Sequence, residues 1–275
     1  GVGFMKKRII TAVVAIAVVI ALLVFKDTVA VCIALTVLGA VAATEIHKVS
    51  RNDNMLLYVA SIVYLAVCPY IVRGYIPMNY LTLTALYFIA FALGSLREYT
   101  EHGRLENQFL NALMAIFVSF GFAAILRLLD NKFGIFCFFV AGISAWITDT
   151  GAYFVGTLFG KHKLAPILSP KKTVEGAVGG VIFCILVEVG FALLYTGCFV
   201  KDASVNYFAL IPASLLASCG GMVGDLFASA VKRFYGVKDY GNFFPGHGGV
   251  IDRVDSALFS FPIVLIFSEY IALIA

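Results

Sequence analysis

Apolar stretches long enough to cross a hydrocarbon core, about 17–25 residues each, recur from one end of this chain to the other and leave only short polar connectors. Read by hydropathy, they predict spans at 9–25, 28–44, 55–72, 80–96, 108–126, 133–159, 177–200, 207–227 and 256–275. The expected fold is therefore an all-α polytopic integral membrane protein of about nine transmembrane helices. The sixth span is long enough to be tilted, or broken at Gly142 or Gly151. Residues 5–132 read as N-terminal transmembrane helices and 133–275 as the C-terminal helices that carry the chemistry. Residues 1–4 precede Met5 and the cluster Lys6-Lys7-Arg8, and read as a remnant ahead of the natural start. The apolar run that follows is longer than the core of a signal peptide and lacks a small-residue cleavage site, so it reads as a first span.

Composition excludes a water-soluble globule: 61% of the residues are hydrophobic and 13% charged, against about 25% charged in soluble domains. The net charge of +4 matters less than its distribution. With the N-terminus cytoplasmic, 15 of the 20 Lys and Arg fall in inner connectors, the asymmetry that the positive-inside rule requires. The six cysteines stand singly in or beside apolar runs, with no C-x-x-C pair, and read as small buried hydrophobes.

Two inner connectors carry residues that neither a span nor a turn requires. The first runs from Asp149 through Tyr153, Gly156 and Gly160-Lys161 to Ser169-Pro170-Lys171-Lys172-Thr173-Val174-Glu175-Gly176. A carboxylate inside an apolar run costs roughly 2.5–3.5 kcal/mol, so Asp149 should face a polar cavity or a partner. On a helix it shares a stripe with Tyr153, Gly156 and Gly160, whose glycines admit a second backbone. Ser169-Pro170 reads as a helix N-cap with proline in the first turn. Lys171, Lys172 and Thr173 behind it supply cationic and hydroxyl donors for an anion.

The second island begins at Gly224-Asp225 and runs through Ser229, Lys232-Arg233, Lys238-Asp239, Gly241 and Pro245-Gly246-His247-Gly248-Gly249 to Asp252-Arg253-Val254-Asp255. Asp252 and Asp255 are spaced to face one way on a helix and to share a hard cation with Asp225. Oxygen-only ligands indicate magnesium, which takes one or two carboxylates together with substrate phosphates, so a nucleoside triphosphate is its natural companion. Three carboxylates leave room for a second cation. The turn at Gly248-Gly249 offers unobstructed amides to an anion, and His247 can donate to a phosphate oxygen.

Taken whole, Ser229-x-x-Lys232-Arg233-x-x-x-x-Lys238-Asp239-x-Gly241-x-x-x-Pro245-x-His247-Gly248-Gly249-x-x-Asp252-Arg253-x-Asp255 resembles the signature of the phosphatidate cytidylyltransferase (CDP-diacylglycerol synthase) family. The first island resembles the same family, and Glu45 near the inner end of the second span is a further point of likeness. In one respect the chain departs from the pattern: Ala228 stands before the signature serine, where members of the family often carry glutamate, so no carboxylate can be assigned there. The resemblance implies an enzyme that uses a divalent metal to join CTP to phosphatidic acid, releasing pyrophosphate and CDP-diacylglycerol for phospholipid synthesis. On that basis Asp225, Asp252 and Asp255 are expected to hold Mg²⁺. Lys171, Lys172, Lys232, Arg233 and Arg253 are expected to neutralise phosphates. Ser169, Thr173, Ser229 and His247 would hydrogen-bond those phosphates, and Asp149 would be a further ligand or would orient a lysine. Nothing in the sequence calls for nucleic acid, and a homo-oligomer is compatible with it. The expected location is a bacterial inner membrane with the site facing the cytoplasm. A CTP-dependent polyprenol kinase is the nearest rival, distinguished by its by-product. A cation-coupled transporter, suggested by intramembrane carboxylates including the isolated Glu188, leaves the phosphate-type donors unexplained.

Overall fold

The computed structural model describes residues 16, 17, 19–51, 53–103 and 105–275. Helices α1 (Val29–Val49), α2 (Met55–Val72), α3 (Tyr80–His102), α4 (Glu106–Asp130) and α5 (Gly134–Phe159) follow one another. An antiparallel hairpin of β1 (Lys163–Ala165) and β2 (Ser169–Thr173) then leads into α6 (Val174–Cys198) and α7 (Tyr207–Phe234). A single turn, α8 (Ile251–Val254), and α9 (Ala257–Tyr270) come last. Among the described residues, seven helices are long and apolar enough to cross a membrane, which makes the chain the all-α polytopic membrane protein that its hydropathy predicts. The first expected span, 9–25, lies partly outside the described residues, at 9–15 and 18.

The last expected span, 256–275, is shorter than predicted. Helix α9 has 14 residues, about 21 Å at 1.5 Å per residue, short of a core about 30 Å thick. It stops because the following residues pair in extended form with those before α7: Ser204 N donates to Ala275 O and Asn206 N to Leu273 O, each at 3.0 Å.

Side-chain caps set several helix starts. Asn54 accepts from Leu57 N at 3.1 Å and Asn79 from Leu81 N at 2.8 Å. A second correction concerns Ser169-Pro170, which is not a helix start. Both residues lie in β2, where Ala165 pairs with Ser169 and Lys163 with Thr173. Proline is tolerated in a two-stranded hairpin because edge positions need no inward donor. The cap is Thr173, extended at φ −124° and ψ 155°, whose hydroxyl accepts from Gly176 N at 3.1 Å.

Polarity is arranged inside out. Phe208 is 96% exposed while Glu188, Ser144 and Ser260 are 0% exposed and hydrogen-bonded. That is the reverse of a water-soluble protein and suits a hydrocarbon solvent, which rewards outward apolar groups and internally satisfied polar ones.

The chain forms two compact units, the first from residues 1–126 with 231–254, the second from 127–230 with 255–275. Residues 231–254 thus group with the N-terminal helices in the first unit. Inside the second unit α5 and α6 meet backbone to backbone. A Cβ at Gly180 would lie 2.6 Å from the Thr148 carbonyl oxygen, and one at Gly176 would lie 2.7 Å from that of Ala152.

Glu188 finds its partners in the same unit. On α6, it accepts hydrogen bonds from Ser144 Oγ of α5 at 2.7 Å and from Cys184 Sγ at 3.2 Å, and it pairs with Ser214 of α7. Glu188→Ala strips an acceptor from buried hydroxyls, each loss costing about 1–3 kcal/mol. Its unfolding temperature in detergent should fall clearly, and that of Glu188→Gln, which keeps an acceptor and nearly the same volume, should fall less. Equal values for all three proteins would show that the cluster contributes nothing to stability.

Candidate active site

In the second unit, α5, the hairpin, α6 and α7 enclose a cavity of about 570 Å³. Its lining includes Asp149, Tyr153, Gly156 and Gly160, the stripe read from the sequence. The glycines are required by contact: a Cβ at Gly156 or at Gly160 would stand 2.8 Å from Thr173 Oγ1. From the hairpin come Lys163, Ser169, Lys171, Lys172 and Thr173, and from α7 comes Asp225.

Lys172 is the hub. Its Nζ donates to Asp225 Oδ2 at 2.7 Å and to Asp149 Oδ1 at 3.2 Å. Asp149 Oδ2 takes a longer bond from Ser256 Oγ at 3.4 Å. Burial works to lower the Lys172 pKa, but the charges of Asp149 and Asp225 outweigh it and hold the pKa above the ordinary lysine value. The ammonium is therefore charged at neutral pH. One lysine between two carboxylates leaves a net negative centre, which the exposed Lys163 and Lys171 on the hairpin offset at the cavity wall.

The hairpin itself is tied down at its entry by Glu175 in the first turn of α6. This carboxylate accepts from Lys161 N at 3.0 Å, His162 N at 3.2 Å and His162 Nδ1 at 2.5 Å. Sequence reading quoted Glu175 as part of a motif and missed this clamp. The only available signal was its place two residues after a threonine that can cap a helix.

The first unit holds a second polar arrangement. Asp252 Oδ1 accepts from Lys232 Nζ at 2.7 Å, while its Oδ2 accepts from Tyr240 N at 2.8 Å and Gly249 N at 3.0 Å. The Lys232 ammonium also lies 5.4 Å from the centre of the Tyr240 ring. Within the intervening loop, His247 N donates to Phe244 O at 2.8 Å, and Gly246 and Gly248 adopt φ of 79° and 87°. Those values suit glycine because other side chains are strained there. His247 Nδ1 is buried and has no partner among the described residues, so the ring has a hydrogen bond to spare. Arg233 is exposed, with its guanidinium donating to Val237 O at 3.1 Å. Arg253 is exposed as well.

The three carboxylates expected to share a cation are distributed: Asp225 and Asp255 belong to the second unit and Asp252 to the first. Asp255 Oδ1 accepts from Ser256 N at 2.8 Å. Ser229 is half-buried on α7. Within either unit, no three His, Cys, Asp or Glu side chains among the described residues gather as a metal-binding group. What the second unit supplies is a pair, Asp149 and Asp225, lining the cavity. That donor set fits magnesium, a hard cation that keeps several waters and takes only one or two carboxylates from protein.

A model of the cytidylyltransferase family matches residues 6–271. The chain belongs to the cytidylyltransferase family. The phosphatidate cytidylyltransferase of Staphylococcus aureus (strain COL) is 35% identical over 269 residues, covering 94% of this chain and 97% of that protein. That of Bacillus subtilis (strain 168) is 42% identical over 151 residues, 54% of each chain. The corresponding protein of Staphylococcus saprophyticus is 38% identical over 191 residues, 68% of this chain and 69% of its own. The family match spans both polar arrangements, so Lys172 with its two carboxylates and Asp252 with Lys232 are both parts of one cytidylyltransferase sequence.

Proposed function

We propose that this chain transfers the cytidylyl group of CTP to phosphatidic acid, yielding CDP-diacylglycerol and pyrophosphate for phospholipid synthesis. Beyond family membership, the observation that carries this reading is Lys172, bound at 2.7 and 3.2 Å to two carboxylates on the wall of a cavity lined by further lysines. An oxygen of the lipid phosphate attacks the α-phosphorus of CTP, the bond from that phosphorus to the β-phosphate bridging oxygen breaks, and pyrophosphate leaves. Both partners are anions. Catalysis therefore consists mainly of positioning and charge neutralisation.

Lys163, Lys171 and Lys172 supply positive charge for the phosphates, and the hydroxyls of Ser169 and Thr173 line the same cavity. Asp225 and Asp149 would hold magnesium once the Lys172 ammonium leaves their oxygens for a phosphate, and the ion would then lower the charge on the reacting phosphates. For Asp252 to take a cation as well, Lys232 would have to leave its Oδ1. His247 Nδ1, without a partner among the described residues, suits a phosphate or nucleotide oxygen. The acyl chains stay in the bilayer, since each buried CH₂ is worth about 0.8 kcal/mol. The positive-inside asymmetry supports a site on the cytoplasmic side of a bacterial inner membrane.

The test uses purified protein in detergent with phosphatidic acid, magnesium and CTP labelled at the α- or the γ-phosphate. Label from the α-phosphate is expected in the lipid phase, with pyrophosphate released. Label from the γ-phosphate would instead make the chain a lipid kinase, and label from neither would end the proposal.

A further inference from the structure

Glu45, on α1, is 6% exposed. Its Oε1 accepts from Val250 N at 2.9 Å and its Oε2 from Ile251 N at 3.1 Å. We propose that Glu45 is a positioning residue that holds the loop of residues 240–251 in shape and thereby fixes Asp252, the next residue along.

Three consecutive amides are gripped by two carboxylates: Gly249 N by Asp252, Val250 N and Ile251 N by Glu45. The loop also closes over Glu45. A Cβ at Gly241 or at Gly249 would lie 2.5 Å from its Oε1, so both glycines are needed for the carboxylate to sit there. Only a carboxylate offers two acceptors to two successive amides, because a glutamine turns one of its two positions into a donor. Internally the loop has the bridge between Phe244 and Gly248 and the bond from His247 N to Phe244 O. Burying a carboxylate in an apolar span is costly. Here the two backbone amides meet it, with Lys48 on its own helix and the like-charged Asp252 as its charged neighbours, which is a poor arrangement for stability and a good one for fixing a loop.

The catalytic side of this inference rests on the cytidylyltransferase reading; the geometric side does not. The experiment separates them by following amide hydrogen exchange at Val250 and Ile251 and, in parallel, kcat and KM for CTP, in full-length protein in detergent. Glu45→Ala should speed exchange at both amides and lower kcat by about 10²-fold, the scale of a small misplacement of reacting groups, with a smaller change in KM. Glu45→Gln, nearly isosteric, should speed exchange at one amide and lose less activity, and it carries both readouts if the alanine variant does not fold. Gly241→Ala should also lower kcat, yet add nothing in the Glu45→Ala background, because the two changes disrupt one contact. Unchanged exchange at both amides, a kcat equal to that of the unaltered protein, or losses that multiply in the double variant would each overturn the proposal. If the unaltered protein transfers no cytidylyl group, the functional reading fails and exchange alone decides the role of Glu45.

Discussion

Lys172→Ala is expected to lower cytidylyl transfer by about 10²–10³-fold, the usual loss when a preorganised donor to a reacting phosphate is removed. Its ammonium is the shared partner of Asp149 and Asp225, so the substitution also leaves two carboxylates facing a cavity without their common counter-charge. Folding should survive. The α5–α6 contact that shapes the cavity is made by glycines and the Thr173 cap, neither of which involves the Lys172 side chain. The measurement is the initial rate of α-label transfer at saturating CTP and phosphatidic acid, beside an unfolding curve. A variant that folds and keeps more than half the activity would remove Lys172 from the reaction and leave it a structural bridge.

Asp252 should show the largest combined effect. Its side chain and that of Lys232 are 3% and 11% exposed and 2.7 Å apart. Breaking a buried pair by removing one partner costs about 3–5 kcal/mol, and Asp252→Ala also takes the acceptor from Tyr240 N and Gly249 N. Loss of activity in that single variant would therefore mix chemistry with unfolding. The informative protein is the double variant Lys232→Met with Asp252→Leu, since replacing both members by apolar groups is often neutral for stability. Unfolding should return toward that of the parent while cytidylyl transfer stays abolished. Recovery of activity together with stability would mean that the pair is structural and takes no part in the reaction.

Local chemistry made much of this legible. Asp149 stands in an apolar run, where a charge demands a partner, and the structure supplies Lys172. The stripe from Asp149 to Gly160 follows from helical spacing alone, and its members line one cavity. Glu188 carried the same signal of cost without any hint of a partner, because Ser144 and Ser214 lie on other helices and serines are common in membrane spans. Ser169-Pro170 misled because the pattern of a cap with proline also suits an edge strand, and the choice was made by pairing with Lys163 to Ala165.

By itself the sequence determined that the chain lies in a membrane, that its helices cross it, which family it belongs to and which two connectors carry the candidate chemistry. Each of these follows from composition, from run length or from motifs written in consecutive residues. The tertiary structure decided the pairings. It joined Lys172 to Asp149 and Asp225, gave Lys232 to Asp252, and brought Glu45 onto amides more than two hundred residues away. A carboxylate buried in a span must find donors, but its own neighbours in sequence cannot say which, because the donors come from whichever helices and loops packing brings against it.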